Sequence, residues 1–394
     1  MAALLDGIRV LELSEGLAGA FCGKTFAGLG AEVILVERPV TGCQVRREPP
    51  FLDDVPGAER SCIFLYTGMG KRSLTLAPDT ACGSEILKRL LKSADILIED
   101  KTEQTSATVI EGASQINPHL VRVTLSNLSR GGPYEGYVTT ELQLGALGGW
   151  MAQLGEPARN PILTNSRTQT AFVPGLMGAI AGLPAILRAR QSGEGPNIDL
   201  SAHESLLFNT RYNETYYSYT GMEIKRHGKS FAGWSPTYRV FEAADGFVSC
   251  AASTDAQVEF FLQLAGIELN RFATRELRYG RAQELVDRLN AWTRSKTKDE
   301  IFHLAQQWRI PMGKVSTIDE MMHLEQLQDR RFFEKVDHPI AGLRAYPGIP
   351  VRLDGVRPSA SRAPMLGEHT VEILSAELGY SREDLATLVS LRVI

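Results

Sequence analysis

The feature that most constrains the fold is a strand–helix–strand pattern at the start of the chain. The segments IRVLEL (Ile8–Leu13) and EVILVE (Glu32–Glu37) each predict a short, largely apolar strand. Between them, the residues from about Ala18 to Gly28 predict a helix, and Gly28 and Gly30 mark its end. A helix that connects two strands of one sheet makes a crossover, so we expect these two strands to run parallel.

The same alternation continues further along the chain. SEILKRLLKSA (Ser84–Ala94) predicts an amphipathic helix, and it leads into the predicted strand DILIE (Asp95–Glu99). LVRVTL (Leu120–Leu125) predicts a further strand. The alternation predicts an α/β fold with an open, mostly parallel sheet, in which ligands bind at the carboxyl ends of the strands. We therefore expect ligand contacts in the loops at residues 14–20, 37–38, 99–101 and 126–132.

A second, smaller domain is predicted in the later part of the chain. From about Arg211 the sequence becomes aromatic and polar, and Asp245-Gly246 between two strand-like segments predicts a β-hairpin. Helical patterns follow, and the last segment is helical again. We expect a large domain with its first part at 1–210, a small α+β domain at 225–318, and a return to the large domain at 330–394.

One uncharged run of 17 residues, Ala171–Leu187, raises the question of a membrane span. A spanning helix needs about 20 apolar residues, and this run is shorter and contains Pro174 and Pro184. It therefore predicts a buried helix and no membrane association. Its segment Gly178–Gly182 predicts a flat face against which another helix or strand packs closely.

Composition excludes several classes of protein. A net charge of −4 lacks the basic character of nucleic-acid-binding proteins. The five cysteines are scattered, with no C-x-x-C pair and no signal-peptide pattern at the start, which predicts free thiols and a cytoplasmic protein. The seven histidines show no metal-ligand spacing, so we expect no metal. The phosphate-loop, dinucleotide and nucleophile-elbow motifs are also absent.

Basic residues beside predicted strands indicate a phosphate-bearing ligand. Arg38 follows the second predicted strand, and Lys71 and Arg72 follow the glycine-bearing segment LYTGMG. CoA carries a 3′-phosphate and a pyrophosphate, which Arg and Lys at a loop mouth bind through charge-assisted hydrogen bonds. From spacing alone, solvated surface charges remain the alternative. Glu37 at the same strand end is compatible with either a ribose contact or a structural role.

Segments that carry a family resemblance extend over nearly the whole chain. They are LLDGIRVLELSEGLAGAFCGKTFAGLGAEVILVERP, GKRSLTL, ADILIED, NPHLVRVTLS, GGPYEG, RARQSGEGPNIDLS, SPTYRVFEAADGFV and APMLGEHTVEILSAELGYS. Together they resemble the family III CoA-transferases, which include formyl-CoA transferase, the carnitine CoA-transferases and α-methylacyl-CoA racemase. The resemblance implies a Rossmann-like large domain built from both chain ends, a small domain, and a dimer of interlocked chains. It also implies CoA thioesters and small carboxylic acids as substrates.

The resemblance assigns CoA contacts residue by residue. They fall on Gly16, Leu17, Arg38, Lys71, Arg72, Asp100 and Lys101. Thr108 stands where formyl-CoA transferase has an arginine, so the resemblance implies weaker phosphate binding at this position.

The nucleophile of the family is an Asp placed five residues before a motif that begins here at Leu176, and this position holds Ala171. Racemase-like spacing points to Thr170, and the second racemase base, a histidine, aligns with Thr140. A carboxylate attacks an acyl-CoA thioester to form a mixed anhydride and then carries CoA itself, which a methyl group cannot do.

Three functions remain open at this stage. The chain is a CoA-transferase that uses a carboxylate from elsewhere, with Glu141 as the nearest candidate. Alternatively, it is a non-nucleophilic subunit that pairs with an Asp-bearing sister chain, as in heteromeric CoA-transferases. The third possibility is a different acyl-CoA reaction, racemase-like or lyase-like, or CoA binding without catalysis on the same scaffold.

Overall fold

The structure is a computed structural model that describes residues 3–100, 112–162, 168–210, 212–226, 228, 235–354, 358 and 361–394. Its strands are β1 (Arg9–Leu13), β2 (Glu32–Glu37), β3 (Lys71–Thr75), β4 (Ile96–Asp100), β5 (Val121–Ser126), β6 (Asn197–Ser201), β7 (Tyr238–Ala243), β8 (Gly246–Ala251), β9 (Met312–Lys314), β10 (Phe333–Val336) and β11 (Arg344–Pro347).

Its α-helices are α1 (Leu17–Gly28), α2 (Cys62–Thr67), α3 (Ala81–Leu91), α4 (Ala113–Ile116), α5 (Glu141–Leu147), α6 (Trp150–Gln153), α7 (Gln169–Ser192), α8 (Ala202–Thr210), α9 (Tyr212–Thr220), α10 (Asp255–Leu264), α11 (Arg275–Gly280), α12 (Ala282–Arg294), α13 (Lys298–Gln307), α14 (Ile318–Met322), α15 (Glu325–Asp329), α16 (Thr370–Glu372) and α17 (Arg382–Ser390). Short 3₁₀ turns lie at Gln44–Arg47, Leu52–Asp54 and Leu269–Phe272, and a π-helical turn, Ile373–Glu377, continues α16.

Strands β1 to β6 form one parallel sheet in the order β3-β2-β1-β4-β5-β6. Apolar side chains on the sheet are buried, including Val10, Leu11 and Ile34, because helices cover both faces. The predicted α/β class and parallel sheet are confirmed. The chain leaves β1 toward β2 and later crosses to β4 on the other side. This reversal creates a crevice beyond the carboxyl ends of β1 and β4, where ligands bind in folds of this kind.

The long helix α7 packs on α1 and β5, as expected for a buried helix. A Cβ added at Gly182 would lie 2.8 Å from Cδ1 of Ile96, and one at Gly175 would lie 2.5 Å from the carbonyl oxygen of Ala18. The predicted close approach along this helix is therefore confirmed. Among the described residues, α7 is also the one helix long and apolar enough to cross a membrane, and half of its most apolar window is buried in the fold.

The chain divides into two compact units. The first consists of Met1–Gly148, Asn165–Asn209 and Gln326–Ile394, and it holds the parallel sheet and the β10–β11 hairpin. The second consists of Gly149–Thr164 and Thr210–Glu325. Its antiparallel sheet, β7-β8-β9, packs with helices around a core of its own, and β7 and β8 form the hairpin predicted at Asp245-Gly246. The domain bounds taken from the sequence, and the interlocked dimer, stay predictions.

Candidate functional site

A cavity of about 350 Å³ opens in the first unit at the carboxyl ends of the central strands. Residues from the loop after β1, the ends of β4 and β5, the start of α5 and the first turns of α7 line it. They are Gly16, Leu17, Ala18, Gln44, Glu48, Asp100, Leu125, Ser126, Asn127, Thr139, Thr140, Glu141, Leu144, Thr170, Ala171, Pro174 and Ala202. The cavity therefore lies at the crevice that the strand order predicts.

Asp100, the last residue of β4, binds the backbone at the start of α1. Its Oδ1 accepts a hydrogen bond from the Glu15 amide at 2.9 Å, and its Oδ2 accepts one from the Gly16 amide. A Cβ at Gly16 would lie 2.9 Å from that same Oδ2, so a larger residue would push the carboxyl away. In dinucleotide-binding folds such amides face a phosphate. Here the Asp100 carboxylate accepts their hydrogen bonds instead.

Burial raises the pKa of Asp100 to about 7, although the hydrogen bonds from the Glu15 and Gly16 amides act in the opposite direction. The nearby charges of Glu15 and Glu12 raise it further. Near neutral pH the cavity therefore holds Asp100 in both its protonated and its ionised form. A carboxyl group with such a pKa is suited to proton transfer.

The residues weighed for the missing nucleophile lie together on this cavity. Ala171, in the first turn of α7, is buried, as is Thr170, and both line the wall. Glu141, the first residue of α5, and Thr140, its N-cap, line it as well. At the position where the resemblance expects an Asp, the cavity wall therefore carries the methyl group of Ala171. Glu141 lines the same cavity.

Arg38 follows the carboxyl end of β2, as predicted. Its guanidinium forms an ion pair with Asp79 at 3.5 Å, and its side chain is 31% exposed. The side chain is thus partly exposed, and its contact with a ligand phosphate stays a prediction. Gly16 and Leu17, the other expected contacts near the start of the chain, line the cavity itself.

Lys71 does not lie at the mouth of a strand-end loop, so that expectation is wrong. It opens β3 opposite Val33, near the amino end of β2, whereas Arg38 follows the carboxyl end. LYTGMG is the end of α2 and a turn that begins a strand. The Lys71 ammonium is buried, 2.7 Å from Oε2 of Glu12, and it donates to the carbonyl oxygen of Ala20 at 2.8 Å.

Arg72 lies beside Lys71 at the same end of the sheet, and its expected place at a loop mouth is wrong for the same reason. Its guanidinium forms ion pairs with Glu32, with Glu372 at 3.0 Å and with Glu377 at 2.7 Å. The pairs with Glu372 and Glu377 connect the sheet to the C-terminal segment. A contact of Lys71 or Arg72 with CoA stays a prediction. Lys101 and Thr108 lie outside the described residues.

Glu37, considered as a possible ribose ligand, is buried in an ion pair. Arg46 donates to it from Nε at 2.6 Å and from Nη2 at 2.9 Å, and Ser73 donates from its hydroxyl at 2.7 Å. Burial opposes ionisation, but the hydrogen bonds and charge of Arg46 prevail and hold the pKa of Glu37 below its usual range. The structural role considered for this residue fits these contacts.

Sequence reasoning missed Gln44 and Glu48 as cavity residues. Gln44 begins the 3₁₀ turn that contains Arg46, and Glu48 follows that turn directly. The ion pair of Arg46 with Glu37 holds this segment against the sheet. No local pattern in the sequence would have found them, because the pairing of Arg46 with Glu37 depends on the fold. No group of three His, Cys, Asp or Glu placed to hold a metal occurs among the residues that the structure describes.

Comparison with known proteins agrees with this architecture. Residues 5–370 match the model of CoA-transferase family III. The succinate–glutarate CoA-transferase of Agrobacterium fabrum is 29% identical, covering 94% of this chain and 95% of its own length. The succinyl-CoA–D-citramalate CoA-transferase of Chloroflexus aurantiacus is also 29% identical, covering 99% and 98%. The crystal structure of a CaiB/BaiF family protein from Brucella suis superposes with a TM-score of 0.84 at 27% identity, covering 95% of this chain and all of that one. The chain belongs to CoA-transferase family III.

Proposed function

We propose that the chain binds CoA and acyl-CoA at the cavity and acts in acyl-CoA transfer between carboxylic acids as a non-nucleophilic subunit. The observation that carries this proposal is Ala171, an aliphatic residue at the nucleophile position of the family, on the wall of a cavity that Gly16 and Leu17 also line. The scaffold would bind and orient the thioester, while an Asp-bearing sister chain supplies the covalent step. The partner is a second copy or that sister chain.

A second candidate function is a different acyl-CoA reaction on the same scaffold, in which a proton moves to or from the carbon next to the thioester. Asp100 favours it, because a cavity carboxyl group with a pKa of about 7 is a suitable general base at neutral pH. Thr140 stands where the racemase has its histidine, so the second base would have to be another residue. Incubating racemic or deuterated acyl-CoA with the chain and measuring exchange at the α-carbon separates this candidate from transfer.

CoA binding is the first test of the proposal. Calorimetric titration with CoA is expected to show saturable binding, and Arg38→Ala is expected to weaken it more than tenfold, because losing a charge-assisted contact typically costs about 1.5–3 kcal/mol. Arg288→Ala is the matched control: Arg288 is similarly exposed and pairs with Glu284 at 3.0 Å in the second unit. No heat of binding at millimolar CoA would remove the proposal.

The quaternary state provides a second test. Helix α7 exposes Leu176, Ile180 and Leu187 by about half or more of their surface, and such an apolar stripe favours a protein partner. Interlocked chains cannot separate without unfolding, so we expect a dimer of twice 43.3 kDa that survives dilution. Mass photometry at nanomolar and light scattering at micromolar concentration would measure it, and a folded monomer at any dilution would contradict interlocking.

The five cysteines are unpaired thiols in the structure, and three of them are buried. We propose that the protein works in the cytoplasm, where a reducing environment keeps such thiols free.

A further inference from the structure

Two histidines outside the cavity bind backbone amides through ring nitrogens that must carry no proton. Nδ1 of His338 accepts hydrogen bonds from the amides of Ile340 and Ala341, each at 3.2 Å. Nδ1 of His369 accepts one from the amide of Ser73 at 3.3 Å. A neutral imidazole has one nitrogen that accepts and one that donates, whereas a protonated imidazole only donates. These contacts therefore require neutral rings, and protonation would place two donors against each other.

The two histidines hold separate parts of the C-terminal segment in the first unit. The turn from β10 to β11 begins at His338, and its Ala341 is buried in a small core that also contains Ala171 of the cavity wall. His369 precedes α16, and its own amide donates to the carbonyl oxygen of Ser73 in β3 at 3.0 Å. Two points of the segment from β10 to α16 thus depend on a neutral histidine.

The surroundings of both rings oppose a positive charge. His338 is 2% exposed, and its buried Nε2 has no hydrogen-bond partner among the residues that the structure describes. Burial lowers the pKa of both histidines, the nearby arginines lower it further, and the nearby glutamates act in the opposite direction. The charged groups that face His338 are those of Arg362, Glu59, Glu368 and Arg46. Those that face His369 are Glu368, Arg72, Glu372 and Arg362.

We propose that His338 and His369 form an acid-sensitive latch, which holds the β10–β11 turn and the start of α16 in place while both rings are neutral. An opened segment takes up protons at the ordinary histidine pKa of about 6.5, and the closed segment only at a lower pH. The open state therefore binds more protons below that value, and the closed state loses stability as the pH falls. Above about pH 7 its stability is fully present. The latch goes beyond the proposed function and does not depend on CoA binding.

Hydrogen exchange of the full-length chain, followed by mass spectrometry of its peptides, would measure opening of the latch. The comparison is between about pH 7.5 and about pH 5.5, on either side of the ordinary histidine pKa. After correction for the intrinsic pH dependence of exchange, peptides containing Ile340, Ala341 and Ser73 are expected to exchange about three- to tenfold faster at the lower pH, because one ring gains at most about tenfold in this interval. Unchanged protection of these peptides would overturn the proposal.

His338→Asn assigns the effect to one ring. An Asn side chain can accept the same two amide hydrogen bonds within a turn, and it does not titrate in this range. The variant is expected to keep the β10–β11 turn protected at both pH values. The matched control is His323→Asn, at an exposed histidine of the second unit, which should leave the acid response unchanged. An acid response of the turn that persists in His338→Asn would remove His338 from the latch and overturn the proposal.

Nuclear magnetic resonance of isotope-labelled histidines in the wild-type chain gives a test that needs no variant to fold. His338 and His369 are expected to carry their proton on Nε2 near neutral pH and to titrate below about pH 6.5. Titration of either ring at or above that value, or a proton on Nδ1 of either ring, would overturn the proposal.

Discussion

Ala171→Asp is expected to raise CoA transfer by the isolated chain by on the order of a thousandfold, from a rate that is very slow or undetectable. An Asp carboxylate can attack the thioester carbon and expel the CoA thiolate, leaving a mixed anhydride. The thiolate then attacks the enzyme acyl carbon, the donor carboxylate leaves, and CoA stays on the enzyme as a thioester. Ala171 lines a cavity of about 350 Å³, so the larger side chain has space to enter it. A positioned nucleophile typically supplies several powers of ten in rate.

The measurement combines transfer assays with borohydride reduction and mass spectrometry of the peptide that contains residue 171. Ala171→Asn is the matched control, because it has the same size as the Asp variant and no nucleophilic oxygen anion. Only Ala171→Asp should show the reduced product. Brisk turnover by the wild-type chain through an adduct trapped on Glu141 would contradict the non-nucleophilic proposal and support a carboxylate from elsewhere. Inactivity of Ala171→Asp with CoA binding retained would show that more than the nucleophile has diverged.

Four strands of the parallel sheet, β1, β2, β4 and β5, could be predicted because each is a short, largely apolar run beside a helical segment. The edge strands β3 (KRSLT) and β6 (NIDLS) were not predicted, because neither is an apolar run. β2 was predicted with its final bounds, Glu32–Glu37, and its ladder with β1 follows from the crossover. The rule that ligands bind at carboxyl strand ends then identified the segments containing Gly16, Asp100 and Ser126, all of which line the cavity. Local periodicity was enough for these features, because they depend on residues close in sequence.

The parts that could not be predicted depend on pairs distant in sequence. Arg46 and Glu37 bring Glu48 to the cavity through a buried ion pair, and no local pattern identifies that pair in advance. Lys71 follows a glycine-bearing segment, and this pattern is compatible with the end of one strand as well as with the start of the next. In the structure Lys71 lies at the start of β3, opposite Val33 of β2. Its ammonium then pairs with Glu12 of β1.

Lys71→Met is expected to lower the free energy of unfolding by about 3–5 kcal/mol, because it leaves the Glu12 carboxylate buried without its cation. Glu12 is fully buried, and apart from Lys71 the hydroxyl of Ser14 donates to it at 2.9 Å. Burial already raises the pKa of Glu12 in spite of Lys71, so removing the cation forces the carboxyl to take up a proton or the fold to open. Urea unfolding followed by circular dichroism would measure the loss.

Two further variants separate the lost ion pair from lost packing. Glu12→Gln combined with Lys71→Met is expected to be more stable than Lys71→Met alone, because a neutral amide is cheaper to bury than a lone carboxylate. Lys88→Met, at an exposed lysine that pairs with Glu85 at 2.6 Å, is expected to stay within about 1 kcal/mol of wild type. If Lys71→Met instead kept full stability and lost CoA affinity, Lys71 would be a ligand contact and its pairing with Glu12 would be dispensable. If stability fell and the folded fraction still bound CoA normally, the buried pair would be structural, and phosphate binding would depend on Arg38 and on residues nearer the cavity.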